Sequence, residues 1–431
     1  MASSRRVVLG ALMMPWCLAT AWAGAADEPT REGGWLVQRD ARTGAVVRTM
    51  ELTLHPQGEP RPALKYRLVA DDFDLIDGNA AVHYLKAMGF LGQGPAREKM
   101  VEFEKRQWDR LMEMREAGNF EASVPPYSWY DMTPAELPLD EVKKYLSYTS
   151  FQPRFLREAA KRRKMDLDRQ IQADEGVLGY VLPDIQEMRP LAYLQSLRCR
   201  VALAEGRIND AIEILGQEYA MAWHLGQDDI VVSNAVGSWC AELAWRDALQ
   251  LVQRRETPNL YWAFATLPQP LIDLRRTTAF ERQLFFEQFK ILREVDETLR
   301  PVAYWQDFVD RLAPQVVNCA RELRLSPNAF RDSGAARESL VVFIAAAYPG
   351  ARQYLIEQCG LPSEQVGAYP TAQVVALAVV RHYEVACDDA FKHAYLPSGH
   401  SASDVDGPRT GGNGKDKPGE TVWYAVPAEF F

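Results

Sequence analysis

Four groups of residues in this chain have types and spacings that chemistry could use. Tyr127, Trp129 and Tyr130 follow Pro125 and Pro126 in the polar stretch from Glu121 to Pro138. Rings presented by a proline-rich loop can stack on a sugar or clamp a peptide. Gln195, Arg198 and Arg200 stand in an amphipathic stretch from Asp184 to Val201 and are expected on its exposed side. Asp72-x-Asp74-x-x-Asp77-Gly78 is calcium-loop-like, but its third acid is one place late and its twelfth position holds His83, so a polar loop capping a helix is the favoured reading. His382, Asp389 and His393 share one helix face. A rise of about 1.5 Å per residue sets the two histidines about 16 Å apart, which leaves Asp389 and His393 as a ligand pair in need of partners from elsewhere.

Nucleophile-elbow, zinc-helix, phosphate-loop and dinucleotide-fingerprint patterns are all lacking from the sequence. The chain has only 6 histidines, with His55 and His400 in loop or flexible stretches, so histidine acid–base chemistry has few candidates. A hydrolase that works with paired carboxylates stays open, since 58 acidic residues are too many to sort by spacing. No catalytic residue, cofactor or metal ligand is assigned.

The elements that would carry these groups are helices. Apolar residues recur at helical spacing through Met188, Leu191, Leu194, Leu197 and Val201, then Ile208, Ala211, Ile212, Leu215, Tyr219 and Ala222, then Val232, Val236, Trp239, Cys240, Leu243 and Leu251. Gly206 and Gly226 punctuate these periods, so helices over 186–204, 208–225 and 229–253 should be consecutive antiparallel neighbours with Ala211 at a close approach. Tyr261 and Trp262 are expected to pack on the third of them. Further helices are expected over 95–116, 139–165, 278–297, 302–324, 333–348, 351–359 and 370–395. Strand character is confined to one or two short stretches near the amino terminus, including Val46 to Leu54.

Composition bounds the rest. Arg5-Arg6, the apolar run from Val7 to Ala19 and the small residues Ala21 to Ala25 have the order of a secretory signal peptide; Sec export is preferred, although Arg5-Arg6 also resembles a twin-arginine signal. Without those two arginines the 49 basic residues fall to 47 against 58 acids, a net charge of −11, which argues against a nucleic-acid partner. Leu340 to Ala347 is the nearest approach to a membrane span elsewhere and is too short, so no span is expected after cleavage. Five scattered cysteines from Cys199 to Cys387 read as small buried residues, without a bridge between Cys199 and Cys240.

Ala202-Leu203-Ala204-Glu205-Gly206-Arg207-Ile208-Asn209-Asp210-Ala211-Ile212 resembles the turn of a tetratricopeptide repeat. Pro183-Asp184-Ile185-Gln186-Glu187-Met188-Arg189, His224-Leu225-Gly226-Gln227 and Pro258-Asn259-Leu260-Tyr261-Trp262-Ala263 are similar to stretches of uncharacterised exported helical proteins of planctomycete-type bacteria. That resemblance implies a helical architecture and an export route, and supplies no catalytic residues. The combined expectation is an all-α, irregular antiparallel array. Its parts are a signal peptide (1–25), a partly disordered arm (26–62), an N-terminal helical region (63–180), a central tetratricopeptide-like region (181–276), a C-terminal helical region (277–396) and a flexible tail (397–431). The function expected is that of an envelope, periplasmic or extracellular scaffold that binds a protein or peptide through Gln195, Arg198 and Arg200, with Tyr127 and Trp129 as a rim. The alternative is the exported carboxylate hydrolase. No oligomeric state is assigned.

Overall fold

Helices form where apolar residues return every three or four positions, and the central three close almost on the expected boundaries. The computed structural model describes residues 30–32, 35–39, 46–89, 95–119, 123–168, 183–322 and 330–395. The signal peptide and the tail expected from the sequence lie outside them. In chain order the elements are β1 (Thr30–Glu32), β2 (Trp35–Arg39), β3 (Val46–Thr49), β4 (Ile76–Asn79), α1 (Ala81–Met88), α2 (Pro95–Glu116), α3 (Tyr127–Tyr130), α4 (Leu139–Ser147), α5 (Gln152–Ala160), β5 (Arg162–Lys164), α6 (Pro183–Ala204), α7 (Ile208–Leu225), α8 (Val231–Val252), α9 (Tyr261–Ala265), α10 (Leu274–Gln288), α11 (Val302–Glu322), α12 (Ser333–Glu357), α13 (Ser363–Ala368) and α14 (Thr371–Phe391). The chain is mostly helical, an all-α fold.

Five short strands occur among the described residues, where the sequence offered one or two. β1, β2 and β3 form an antiparallel sheet, and β4 pairs in parallel with β5. Three or four residues are too few to print an alternating pattern, and Ile-Asp-Gly-Asn and Arg-Arg-Lys contain almost no apolar residue to alternate.

The chain divides into two compact units, one holding the described parts of 23–168 and 182–277, the other those from Thr278 onward. The described parts of the regions read as 63–180 and 181–276 thus fall in one unit, and the reason is α6. Ile185, Met188, Leu191 and Ala192 enter a cluster with α1, α5, α7 and α8. Cys199, Ala202 and Leu203 enter a second with Leu68, Val69, α7, α8 and α9, and Leu194, Leu197 and Val201 enter a third with α2, α3 and α4. A helix with apolar partners on three sides keeps little solvent face, Gln186 and Pro190 being its exposed residues among those described, and each fully buried leucine, such as Leu197 at 0% exposure, contributes about 1.5–3 kcal/mol.

Local signals fix the ends. Gly206 has φ +73°; its N–H donates to Leu203 and that of Arg207 to Ala202 (3.2 and 2.8 Å), the paired bonds that satisfy the last carbonyls of α6 and turn the chain into α7. Asn79 opens α1 by accepting from the Ala81 N–H at 3.0 Å and also accepts from Asp166 N at 2.9 Å, which ties β4 to the residues after β5. Gly216 faces the backbone of Leu68 so closely that a Cβ there would lie 2.6 Å from the Leu68 carbonyl oxygen. The arm is not loose where it is described: Gln57 donates to Arg255 O at 3.0 Å and Glu59 accepts from Trp262 Nε1 at 2.6 Å. Tyr261 and Trp262 are consequently exposed rather than packed on the third helix.

In the second unit, Trp305, Phe308, Val309, Ile291, Leu292 and Val380 form one core, and Leu355, Val366, Tyr369, Val374 and Leu377 another. Asp332 caps α12 by accepting from Ala335 N at 2.9 Å. That helix was expected to break at Pro349 and instead runs through it, because the proline is exposed and water can serve the carbonyl it frees. At 25 residues and a hydropathy of 1.2, α12 is long and apolar enough to cross a membrane by length and composition, so counting only Leu340 to Ala347 understated it.

Candidate functional site

Every singled-out residue of α6 is turned inward. Gln195 and Arg200, expected on an exposed binding face, are 1% and 4% exposed. Gln195 donates to Gln217 Oε1 at 2.7 Å. Arg198 is half-buried and is solvated by neutral oxygens: Thr149 O, Thr149 Oγ1, Gln152 Oε1 and Gln195 Oε1 lie 2.7–3.1 Å from its guanidinium. Burial lowers its pKa to about 10, which keeps it charged at neutral pH. Arg200 donates through Nε to Asp247 Oδ1 at 2.8 Å and through Nη1 to the carbonyls of Tyr130 and Met132 at 2.5 and 2.8 Å. The physical reason is the one that buries α6: neighbours pack on several of its sides, α7 at Gln195, the α4–α5 turn at Arg198 and both α3 and α8 at Arg200, and a polar side chain there must find protein partners.

Arg200 also shapes what remains exposed. By holding the carbonyls at the end of α3 it fixes the Tyr127–Tyr130 turn against α6 and α8, and a cleft of about 250 Å³ opens there. Tyr130 and Tyr193 stack with centroids 4.0 Å apart, Tyr193 meets the edge of Trp239 at 4.7 Å, and Tyr127 meets Tyr130 at 6.3 Å. Tyr127, 56% exposed, stands at the mouth as the loop reading expected, whereas Trp129, expected beside it, is 1% exposed and packs on Phe103 and Tyr145. Asp131 and Glu242 add carboxylates to the lining, and Arg246 is tied to Glu242 at 2.6 Å. Burial raises the pKa of Tyr193, and the charge of Asp131 acts in the same direction.

Behind the cleft lies a cluster that the sequence analysis missed. Cys199 of α6, Glu218 of α7 and Asp247 of α8 bring their donor atoms within 4.8 Å of one another, all buried. Both oxygens of Glu218 and Oδ2 of Asp247 lack a hydrogen-bond partner. Burial raises the pKa of both carboxyls, Glu218 far above its ordinary value with the charge of Asp247 adding to the rise. The direct bond from Arg200 goes to Asp247, so the proton of the pair resides on Glu218. The three residues are scattered over three helices, and only the helical register could have paired them.

The other candidates resolve plainly. Asp72 and Asp77 pair with Arg163 at 2.9 and 3.2 Å, as a polar loop rather than a calcium loop would. Asp389 pairs with Lys392 at 3.5 Å, and His382 lies edge-on to Tyr354. Cys199 and Cys240 are free thiols in different clusters. Comparison with protein-family models, with curated proteins and with solved structures returns no match for this chain.

Proposed function

We propose that the protein is a binding protein whose first unit takes a basic side chain of a peptide or protein segment into the cleft beside α3. The observation that carries this reading is the continuous run of rings Tyr127, Tyr130, Tyr193 and Trp239, with Asp131 and Glu242 in the same lining. Aromatic faces attract cations, and rings held by packing lose little freedom when a ligand arrives. With Arg246 engaged by Glu242, the carboxylate of Asp131 supplies the excess negative charge. A cleft of about 250 Å³ suits one anchoring side chain rather than a whole cofactor. Export, proposed on the order of residues 1–25, would deliver this unit to envelope partners.

A set of short peptides that differ only in a central lysine, arginine, norleucine or citrulline tests the reading by calorimetry and tryptophan fluorescence. The charged peptides should bind, the neutral ones at least about tenfold more weakly, and Tyr193→Ala or Asp131→Asn should abolish the preference. Equal binding of charged and neutral peptides would overturn it. Binding of neutral oligosaccharides alone would assign the rings to sugar stacking.

The alternative of a hydrolase retains one supporting observation, two carboxylates in a single cleft. Turnover of a glycoside or peptide that is lost in both Asp131→Asn and Glu242→Gln would favour it over simple binding.

A further inference from the structure

The buried cluster behind the cleft has the composition of a metal site. A sulfur and two carboxylates converge from three successive helices, and their donor atoms all lie within 4.8 Å of one another. Even if every separation were that long, the centre of the triangle would be about 2.8 Å from each donor, so shifts of under about 1 Å reach the 2.0–2.3 Å range of zinc–oxygen and zinc–sulfur bonds. The side chains are sealed, with Cys199, Glu218 and Asp247 at 0%, 3% and 0% exposure.

The donors are also short of partners. Glu218 brings one carboxylate oxygen into this group, and neither of its oxygens accepts a hydrogen bond, an arrangement that natural cores avoid unless an ion or a proton completes it. Asp247 spends Oδ1 on the Arg200 Nε–H at 2.8 Å and keeps Oδ2 unpartnered, the division of labour of a carboxylate that is oriented by an outer neighbour and ligates with its other oxygen. The Cys199 thiol has only a weak bond to Ala211 O at 3.7 Å to give up. The buried hydroxyl of Ser196 lies beside Asp247 and lacks a hydrogen-bond partner of good geometry. Charge closes the account: a thiolate and two carboxylates, with the Arg200 guanidinium and a divalent ion, sum to zero in a region with no water to screen an excess.

We propose that Cys199, Glu218 and Asp247 bind a divalent cation of the zinc class, which pins α6, α7 and α8 together. The sulfur donor and the small number of ligands select zinc or cobalt over calcium and magnesium, which require more oxygens or retained waters. The site is structural, since it is sealed from the cleft and loads as the helices assemble. Uptake exchanges two protons, one from the Cys199 thiol and one from the Glu218 carboxyl, for the ion.

The test uses the full chain, stripped with chelator and refolded with cobalt(II) or zinc(II) alone. One equivalent of cobalt per chain should remain after gel filtration and give a thiolate-to-cobalt charge-transfer band in the near ultraviolet, and zinc should displace it. Cys199→Ser should remove the band, and Glu218→Gln should weaken binding by about tenfold or more. Glu218→Gln mimics the neutral acid, so it should fold without metal, as circular dichroism would show, and separates lost binding from lost structure. Absence of retained metal in the refolded wild-type chain would overturn the proposal and leave Glu218 and Asp247 as a proton-sharing pair. A cobalt band unchanged in Cys199→Ser would overturn it by assigning the ion to another thiol.

Discussion

Two buried groups of the first unit should tilt its stability in opposite directions over the same pH window. His224 has no exposed surface. Its Nε2 lies 2.8 Å from the Arg162 carbonyl and its Nδ1 2.8 Å from the Tyr84 hydroxyl. The carbonyl can only accept, so Nε2 carries the proton and Nδ1 accepts from Tyr84; a second proton would force the Tyr84 hydroxyl to turn its own hydrogen away and accept instead. Burial lowers the imidazole pKa from 6.5 to about 4, with the Arg162 carbonyl opposing. Between those values the unfolded chain binds one proton more than the folded one. The contribution is complete above about pH 6.5 and is lost as pH falls through about 4, a total of about 3 kcal/mol at ~1.36 kcal/mol per unit. Glu218 has the opposite sign. Its carboxyl keeps a proton in the fold that the unfolded chain releases near 4.5, so its contribution is complete below that value and is lost as pH rises toward the raised one. From about pH 5 to 6.5 the two slopes cancel. Relative to wild type, His224→Gln, whose amide can accept from Tyr84 and donate to Arg162, should gain about 1.4 kcal/mol for each unit of acidification, and Glu218→Gln should lose as much. Urea unfolding followed by circular dichroism in chelator-containing buffers measures the slopes. His83, whose pKa burial also lowers, contributes equally to all three proteins. Parallel slopes in wild type and both variants would refute the protonation states assigned here.

Arg200→Met should destabilise the unit by about 3–5 kcal/mol, because it leaves Asp247 charged and buried without a partner; adding Asp247→Leu should recover most of that loss in a urea titration. Gly216→Ala should cost about 1–3 kcal/mol by pressing its methyl group on the Leu68 carbonyl. Gly206→Ala meets no atom within 4 Å and should cost only the backbone strain of φ +73°, about 1–2 kcal/mol. A melting temperature for Gly216→Ala equal to that of wild type would show that the segment at Leu68 yields without penalty.

What could be read from sequence was local. Gly206 and the apolar spacing placed α6, α7 and α8 to within a few residues, and the polar loop before α1 was recognisable as a helix cap, because both signals act over one or two turns. The tertiary setting of polar residues was not readable. An arginine in a helix that faces water and one that faces an aspartate 47 positions later have the same sequence surroundings, so Arg200 looked exposed until α8 was in place. Tyr127 was noticed for its proline-rich neighbours, yet Trp239 counted as an ordinary core residue and Tyr193 had nothing to mark it, although the two complete the cleft. Cys199 looked like one too, since neither Glu218 nor Asp247 is near it along the chain.

The encirclement of α6 also sets an order for the birth of the fold. Helices α1 to α5 leave the ribosome first, and their apolar faces belong against α6; α6 in turn has no finished partner until α7 and α8 follow. β4 and β5 add an earlier wait, since this parallel pair closes only after α1 to α5 have been made and Lys164 has emerged. The apolar faces of these early helices that belong against α6 therefore stay open to chaperones until about residue 252 has emerged.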